Sequence, residues 1–354
     1  MFSGGYKPVI GLDIGADAVK MVGLRKNGKG YYVTMAAMSR IGEDVDGGEA
    51  GVVGAIRRCI ESSGDCSVRN SYFVCGLSGS EVKVSTFGFM SLSHEEVAQA
   101  VRFEAEQVCS FDIRRGVVDY QFIGDDGKKK RKGKKGGDGE KGIRGVFAVA
   151  TKDAIREKRQ IAADALLKCA LMDVDGLALL NGLLESGEVA GKLPAVIVNV
   201  GKSLSTIAIL GSDGLPFIRD LAYSGDDIVN YIAKRRGIDR DKVEKMLCSG
   251  EGLPEDVRQE LVRASKRLLK DIAETLTYYS IQKGTIKTDG VYVSGGYAMI
   301  REFVGVLQAG LEHRVMVWNP FTRIQCEGDV PGGELLSDYG PAMAVAAGLA
   351  MRSV

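Results

Sequence analysis

An internal likeness at an offset of 186 residues constrains this 354-residue chain more than any other feature. Val9-Ile10-Gly11-Leu12-Asp13-Ile14-Gly15 leads through Ala16-Asp17-Ala18 into Val19-Lys20-Met21-Val22. Ala195-Val196-Ile197-Val198-Asn199-Val200-Gly201 leads through Lys202-Ser203-Leu204 into Ser205-Thr206-Ile207-Ala208-Ile209. In each copy an apolar run ends on Asp or Asn, an apolar residue and Gly, and a short polar turn returns into a second β-rich run. Glycine at the turn lets backbone N–H groups approach an anion with no Cβ in the way. Asp13, at the strand end beside that turn, is suitably placed to hold a hydrated magnesium ion. One such hairpin is ordinary sheet architecture. Two copies half a chain apart predict two similar sheets whose turns clamp one polyphosphate from opposite sides. The candidate ligand-binding residues are therefore Asp13, Gly15, Ala16, Asp17 and Lys20 in the first copy. In the second they are Asn199, Gly201, Lys202, Ser203 and Ser205.

A third element agrees. Val291-Tyr292-Val293-Ser294 runs into Gly295-Gly296-Tyr297-Ala298 and then a helix near Met299. A helix N-terminus behind bare backbone can receive a nucleotide, although alone it is also a tight strand-to-helix turn. The order hairpin, hairpin, Gly-Gly-helix resembles the phosphate-1, phosphate-2 and adenosine motifs of the actin superfamily.

Further stretches narrow the resemblance. They are Ala100-Val101-Arg102-Phe103-Glu104-Ala105-Glu106-Gln107 with Phe111-Asp112-Ile113, the segment Val315 to Phe321 with Asn319-Pro320, and Gly340-Pro341-Ala342 onward to Ala350. Together with the first hairpin they resemble the PilM family of type IV pilus assembly proteins, from Val9 to Arg352. That resemblance implies an α/β, actin-like (ribonuclease H-like) two-lobed fold with subdomains 1A, 1C, 2A and 2B. Subdomain 1A would take 1–81, 169–194 and, as a C-terminal helix, 331–354. Subdomain 1C would take 82–168, with an unordered basic loop at about 124–142. Subdomain 2A would take 195–224 and 286–330, and 2B 225–285. The resemblance also implies ATP with Mg2+ as cofactors, Asp13 as the metal-side carboxylate, and a scaffold at the cytoplasmic face of the inner membrane. The implied partners are a PilN-like single-span protein, through its N-terminal cytoplasmic peptide, and pilus assembly platform proteins. Self-association is also implied, and no nucleic acid. The peptide would dock on the first lobe between 1A and 1C.

Three departures bear on chemistry. Asn199 stands where relatives carry Asp, Asp17 where they carry a small hydroxyl residue, and Leu247 where a Glu-x-x-Lys pair beginning at Glu244 would place its base. An amide orders a metal and its waters less well than a carboxylate, and Asp17 sets a like charge near phosphates. Nucleotide binding with at most slow ATP hydrolysis is the expectation. Two alternatives stay open: an FtsA-like cell-division filament protein, for which no amphipathic membrane-targeting tail is visible, and a small-molecule kinase, for which no carboxylate base is evident.

The local pattern of the 82–168 block is legible. Glu81 to Met90 reads as a strand, and Ser93-x-x-Glu96 as a capping box opening a helix with Val97, Ala100, Val101, Ala105 and Val108 on one face. Strands are expected at 117–123 and 142–150, and a helix over Lys152–Cys169. A helix should begin at Ser224-Gly225-Asp226-Asp227, and a long amphipathic one should run from about Val257 to Gln282.

Composition excludes several classes. The 47 basic and 46 acidic residues balance, so a globally basic nucleic-acid binder is not expected. The seven cysteines are dispersed without a C-x-x-C pair and only His94 and His313 accompany them. That argues against zinc and for free thiols in a reducing cytosol. No signal-peptide pattern opens the chain, and Pro341 to Met351 is too short to span a bilayer. The Lys128–Lys135 run, unbroken by aromatics, reads as a solvated loop. A contact to anionic lipid is the better of its functional readings.

Overall fold

The computed structural model describes residues 7–28, 30–42, 48–64, 68, 71–90, 92–123, 142–189, 194–284, 286, 288–326 and 329–354. The Lys128–Lys135 run and the loop expected around it lie outside the described residues, apart from Gly142 at its end.

The first sheet is built from β1 (Val9–Ile14), β2 (Ala18–Asn27), β3 (Gly30–Arg40), β4 (Tyr72–Leu77) and β8 (Cys169–Val174), with the short β14 (Gln325–Cys326) beyond β3. The second is built from β9 (Ala195–Val200), β10 (Ser205–Leu210), β11 (Pro216–Leu221), β12 (Val291–Ser294) and β13 (Val315–Val317). Their strand orders, β3-β2-β1-β4-β8 and β11-β10-β9-β12-β13, are the same topology. Each is a three-stranded antiparallel meander continued by two parallel strands. The duplication extends to the register. Asp13 stands opposite Lys20, and Asn199, at the same offset, stands opposite Thr206.

Burial explains the composition of these strands. Central strands covered on both faces read as continuous apolar runs rather than alternating ones, and Val196, Ile197 and Val198 are all fully buried. Helices α1 (Gly48–Ser62) and α3 (Lys152–Asp164) cover one face of the first sheet, where Ile56, Cys59 and Ile161 meet Ile10, Leu12 and Phe73. The other face receives α4 (Asp175–Glu185) and, after the short α9 (Glu334–Asp338), α10 (Ala344–Ala350). Helix α4 also packs on the second sheet, bringing Leu179 and Leu183 into one core with Ile197, Ala208 and Trp318. It is thus the shared layer between the lobes. The far face of the second sheet is covered by α5 (Gly225–Arg236), α7 (Glu255–Lys283) and α8 (Arg301–Gly310), with α6 (Arg240–Cys248) beside α5. Leu261, Leu268, Ile272, Leu276 and Tyr279 of α7 are all buried, as their spacing predicted.

A small third sheet, β5-β7-β6, comprises β5 (Val82–Phe89), β7 (Ile143–Thr151) and β6 (Gly116–Phe122). Helix α2 (His94–Val108) lies across it, burying Val97, Val101 and Ala105 against Phe87, Phe147 and Val149. Its capping box forms: Glu96 N–H donates to Ser93 Oγ at 3.3 Å, and Ser93 N–H donates to the Glu96 carboxylate at 2.7 Å. Phe103 points outward, 62% exposed.

One expected helix is shorter than its pattern. Helix α3 stops at Asp164 rather than Cys169, because Leu166 turns left-handed (φ 60°). Leu167 N–H then donates to Ala162 O at 2.8 Å and Leu166 N–H to Ala163 O at 2.9 Å, the paired closing bonds of a Schellman motif. Cys169 begins β8 instead. Helix α3, expected to close the small block, places Ile161, Ala162 and Ala165 in the first sheet's core. The described cysteines are free thiols. Among the described residues no helix is long and apolar enough to cross a membrane.

Candidate functional site

The two hairpin turns face each other across the junction of the lobes. In the first, Gly15 N–H donates to Ala18 O at 3.1 Å and the Asp17 carbonyl is fixed by Ile41 N–H at 2.8 Å. In the second, Gly201 N–H donates to Leu204 O at 3.0 Å. There the Gly201 and Lys202 carbonyls accept from Gly225 N–H (3.1 Å) and Asp226 N–H (2.7 Å) at the start of α5. The contact between the turns is ionic. The Lys202 ammonium lies 2.8 Å from Asp17 Oδ1 of the opposite lobe and 2.9 Å from Glu244 Oε1 on α6. Burial disfavours that ammonium, but the hydrogen bonds it donates to Asp17 and Glu244 outweigh it and hold its pKa above the ordinary lysine value.

Asp13 is nearly buried at the end of β1, and Lys20 donates to it at 3.0 Å across the hairpin. Ala16 and Ser203 are exposed at the turn tips. Ser205, by contrast, is fully buried with its hydroxyl unpartnered. The Asn199 amide oxygen accepts from Ser294 Oγ at 3.1 Å, tying β9 to the end of β12. Gly295 follows in a left-handed conformation (φ 90°), its N–H donating to Pro341 O at 2.8 Å. A β-carbon there would collide with the Val200 carbonyl, so only glycine lets β12 turn this close to the second hairpin. Gly296 is exposed with open space about it, whereas Ala298 turns into the second lobe's core. Tyr297 lies over Gly225 and donates its hydroxyl to Gly225 O at 2.8 Å. Burial, and then the charges of Cys248, Glu244 and Asp226, push its pKa up. Leu247, at the position expected for a base, is a core residue, so Glu244 has Lys202 as its partner instead.

Asp17, Lys202 and Glu244 therefore form one network, and Asn199, Ser294 and Gly295 a second. Asp13 and Lys20 form a pair. Ser205 and Ala298 face the interior rather than the junction.

Two acids were missed by reading the sequence. Asp175, the first residue of α4, is half-buried, but its Oδ1 is enclosed and has no hydrogen-bond partner. Burial first, then the neighbouring Asp13, push its pKa up to about 7. A Ser78 hydrogen bond pulls the other way, Asp220 adds to the rise, and Lys158 opposes it. Asp220 bridges the lobes, accepting from Gly79 N–H at 2.8 Å on one side and Thr206 Oγ1 at 2.6 Å on the other. The available signal for Asp175 was an acid at a strand-to-helix junction, Asp173-Val174-Asp175-Gly176, the same class of position as Asp13.

Comparison with known proteins follows this geometry. The chain is similar to the structure of the PilM-PilN type IV pilus biogenesis complex, with 23% identity, a TM-score of 0.77, and coverage of 97% of this chain and 98% of that one. It is similar in fold to a diol dehydratase-reactivating factor in nucleotide-free form (11% identity, TM-score 0.55, coverage 97% and 99%). Another likeness is to the ethanolamine utilization protein EutJ from Carboxydothermus hydrogenoformans (13% identity, TM-score 0.50, coverage 97% and 89%). The fold is the two-lobed actin-like α/β fold that the duplicated hairpins predicted. The family model for the type IV pilus assembly protein PilM matches residues 11–354, from the first hairpin through α10. The chain belongs to the type IV pilus assembly protein PilM family.

Proposed function

We propose that this chain is a nucleotide-binding scaffold of type IV pilus assembly, taking ATP with Mg2+ between its lobes. The observation that carries the reading is the pair of hairpin turns, one from each sheet, meeting at the Lys202 ammonium. Lys20 and Lys202 offer cationic partners for phosphate oxygens, and the exposed Gly296 backbone offers an open face for a nucleoside. The donor set fits magnesium carried on phosphates. Asp13 and Asp175, whose Oδ1 is unpartnered, lie close enough to raise the Asp175 pKa by charge repulsion. Among the described residues no cluster of three or more acids, cysteines or histidines gathers to hold a metal alone. Magnesium uses one or two carboxylates plus substrate phosphates in such sites. When bound, the ion would neutralise charge on the phosphates. Asp13 would orient its waters, and Asn199 would contribute an amide where a second carboxylate would polarise a water more strongly. Hydrolysis slower than about 10 s⁻¹, the typical enzyme turnover, follows.

We assign the first sheet and its helices to subdomain 1A, the β5-β7-β6 block to 1C, and the second sheet and α5–α7 to 2A and 2B. The PilN of the related complex suggests the partner: a short cytoplasmic peptide of a PilN-like membrane protein, which would hold this chain at the cytoplasmic face of the inner membrane. Outward-facing Phe103 on α2 and the half-buried Phe111 beyond it are apolar groups of the β5-β7-β6 block that such a peptide could use, with affinity of roughly micromolar order, whereas Ile113 is buried in the block's own core. Platform proteins and self-association would complete the assembly. Family membership favours this over the division-filament and kinase readings.

Calorimetry with ATP and magnesium on nucleotide-stripped protein should show one site, weakened by Asp13→Ala and by Gly295→Trp. Binding unchanged in both variants would remove the site from this junction.

A further inference from the structure

The network at Lys202 has a consequence for the ligand proposed above, and it rests on that reading. Each turn is anchored by its own lobe: Ile41 N–H holds the Asp17 carbonyl, and Asp226 N–H holds the Lys202 carbonyl. The Asp17–Lys202 pair at 2.8 Å is therefore a bond between two fixed loops of different lobes. Glu244 meets the same ammonium from α6 at 2.9 Å. Two carboxylates thus surround one cation, which is how an ammonium would be surrounded by the oxygens of a phosphoryl group. The other hairpin lysine, Lys20, is already paired with Asp13.

We propose that Asp17 and Glu244 are internal occupants of a phosphoryl subsite centred on Lys202, so that a phosphate-bearing ligand enters by displacing the Asp17 carboxylate from that ammonium. Exchange of carboxylate for phosphate at Lys202 leaves Asp17 without its partner and beside a like charge. Ligand uptake then separates the two turns instead of drawing them together. The Asp17 side chain is 41% exposed and that of Lys202 27%, so the pair is partly screened. Asp17 lowers affinity by about two- to fivefold and does not block the site.

The test compares the unaltered chain with Asp17→Ser and Lys202→Met by calorimetry at fixed ionic strength, with ATP, tripolyphosphate and adenosine as probes. Asp17→Ser should tighten ATP and tripolyphosphate by the same two- to fivefold factor and leave adenosine unchanged. Lys202→Met should weaken both phosphate ligands. Binding detected only in Asp17→Ser supports displacement of Asp17 and shows that its cost exceeds this factor. If the unaltered chain binds ATP and Asp17→Ser binds it no tighter, internal competition is overturned and the nucleotide reading survives. If no form binds ATP or tripolyphosphate, the nucleotide reading fails and the subsite fails with it.

Discussion

Replacing Asp175 by Asn should stabilise the protein, and more so on the alkaline side. The carboxyl stands at the start of α4 with its Oδ1 enclosed and unpartnered, and Asp13 is the strongest of the negative charges acting on it. Its pKa is pushed from 3.8 up to about 7. A carboxyl that titrates higher when folded than when unfolded contributes fully below the unfolded value, and that contribution is lost as pH rises through the folded one. The native protein therefore loses stability between about pH 4 and pH 7 on account of this group. At about 1.4 kcal/mol per pH unit the loss has a ceiling of about 4 kcal/mol. An amide carries no such penalty. It forfeits the favourable placement of a negative charge in the first turn of α4, which returns about 0.5–1 kcal/mol. Urea unfolding of both forms at pH 5 and pH 8.5, free of nucleotide and metal, isolates the difference because every other titrating group is shared. An Asn form more stable by about 1 kcal/mol at pH 5 and by up to about 3 kcal/mol at pH 8.5 is expected. An Asn form that is less stable by the same amount at both pH values would refute the reasoning, since the carboxyl would then be ionised and satisfied throughout.

Two further substitutions test the fold. Leu166→Gly should raise stability by about 1 kcal/mol, because Leu166 holds a left-handed conformation that costs a non-glycine residue about 1–2 kcal/mol, and being 89% exposed it buries little. A lowered melting temperature would show that the leucine side chain makes a contact worth more than that strain. Gly11→Ala should cost about 3 kcal/mol or more, since its β-carbon would run into the Ala346 carbonyl and within 2.8 Å of Ala350 N, both backbone atoms of α10. A melting temperature and soluble yield equal to the parent would mean that α10 can step back from β1 freely.

The parts of the fold that were legible are those whose signal is local. The paired hairpins were readable because strand, glycine and turn lie within a dozen residues. The register of Asp13 on Lys20 and Asn199 on Thr206 follows from the shortness of the turns. The capping box of α2 and the stripe of α7 are local in the same sense. What could not be read depends on residues that meet only in three dimensions. Asp175 comes near Asp13 because β8, which leads into α4, lies beside β4 and β4 beside β1. Lys202 pairs with Asp17 because the two sheets face each other, and no spacing encodes that. The end of α3 was misread for a different reason. A left-handed closing residue is ordinarily announced by glycine, and here the position is occupied by Leu166 in an apolar run that continues the helical period past the true end.

The docking of α10 has a consequence for how the protein is made. Every residue from Ala344 to Ala350 is buried, and the helix lies against β1, β2, β4 and α4 with Gly348 seated on the Ala178 backbone. The strand it covers is separated from it by hundreds of residues of sequence. As the chain emerges from the ribosome, the first sheet can pair its strands early, but one face of β1 and β2 stays bare until this distant segment arrives. Loop closure over that span is entropically costly and such contacts form late. The nascent first lobe is therefore an exposed apolar surface for most of synthesis, a state prone to aggregation and suited to chaperone capture. Premature termination before Ala344 would leave the β1 hairpin, and with it Asp13 and Asp17, unsupported from behind, although every residue of the hairpin itself had been made.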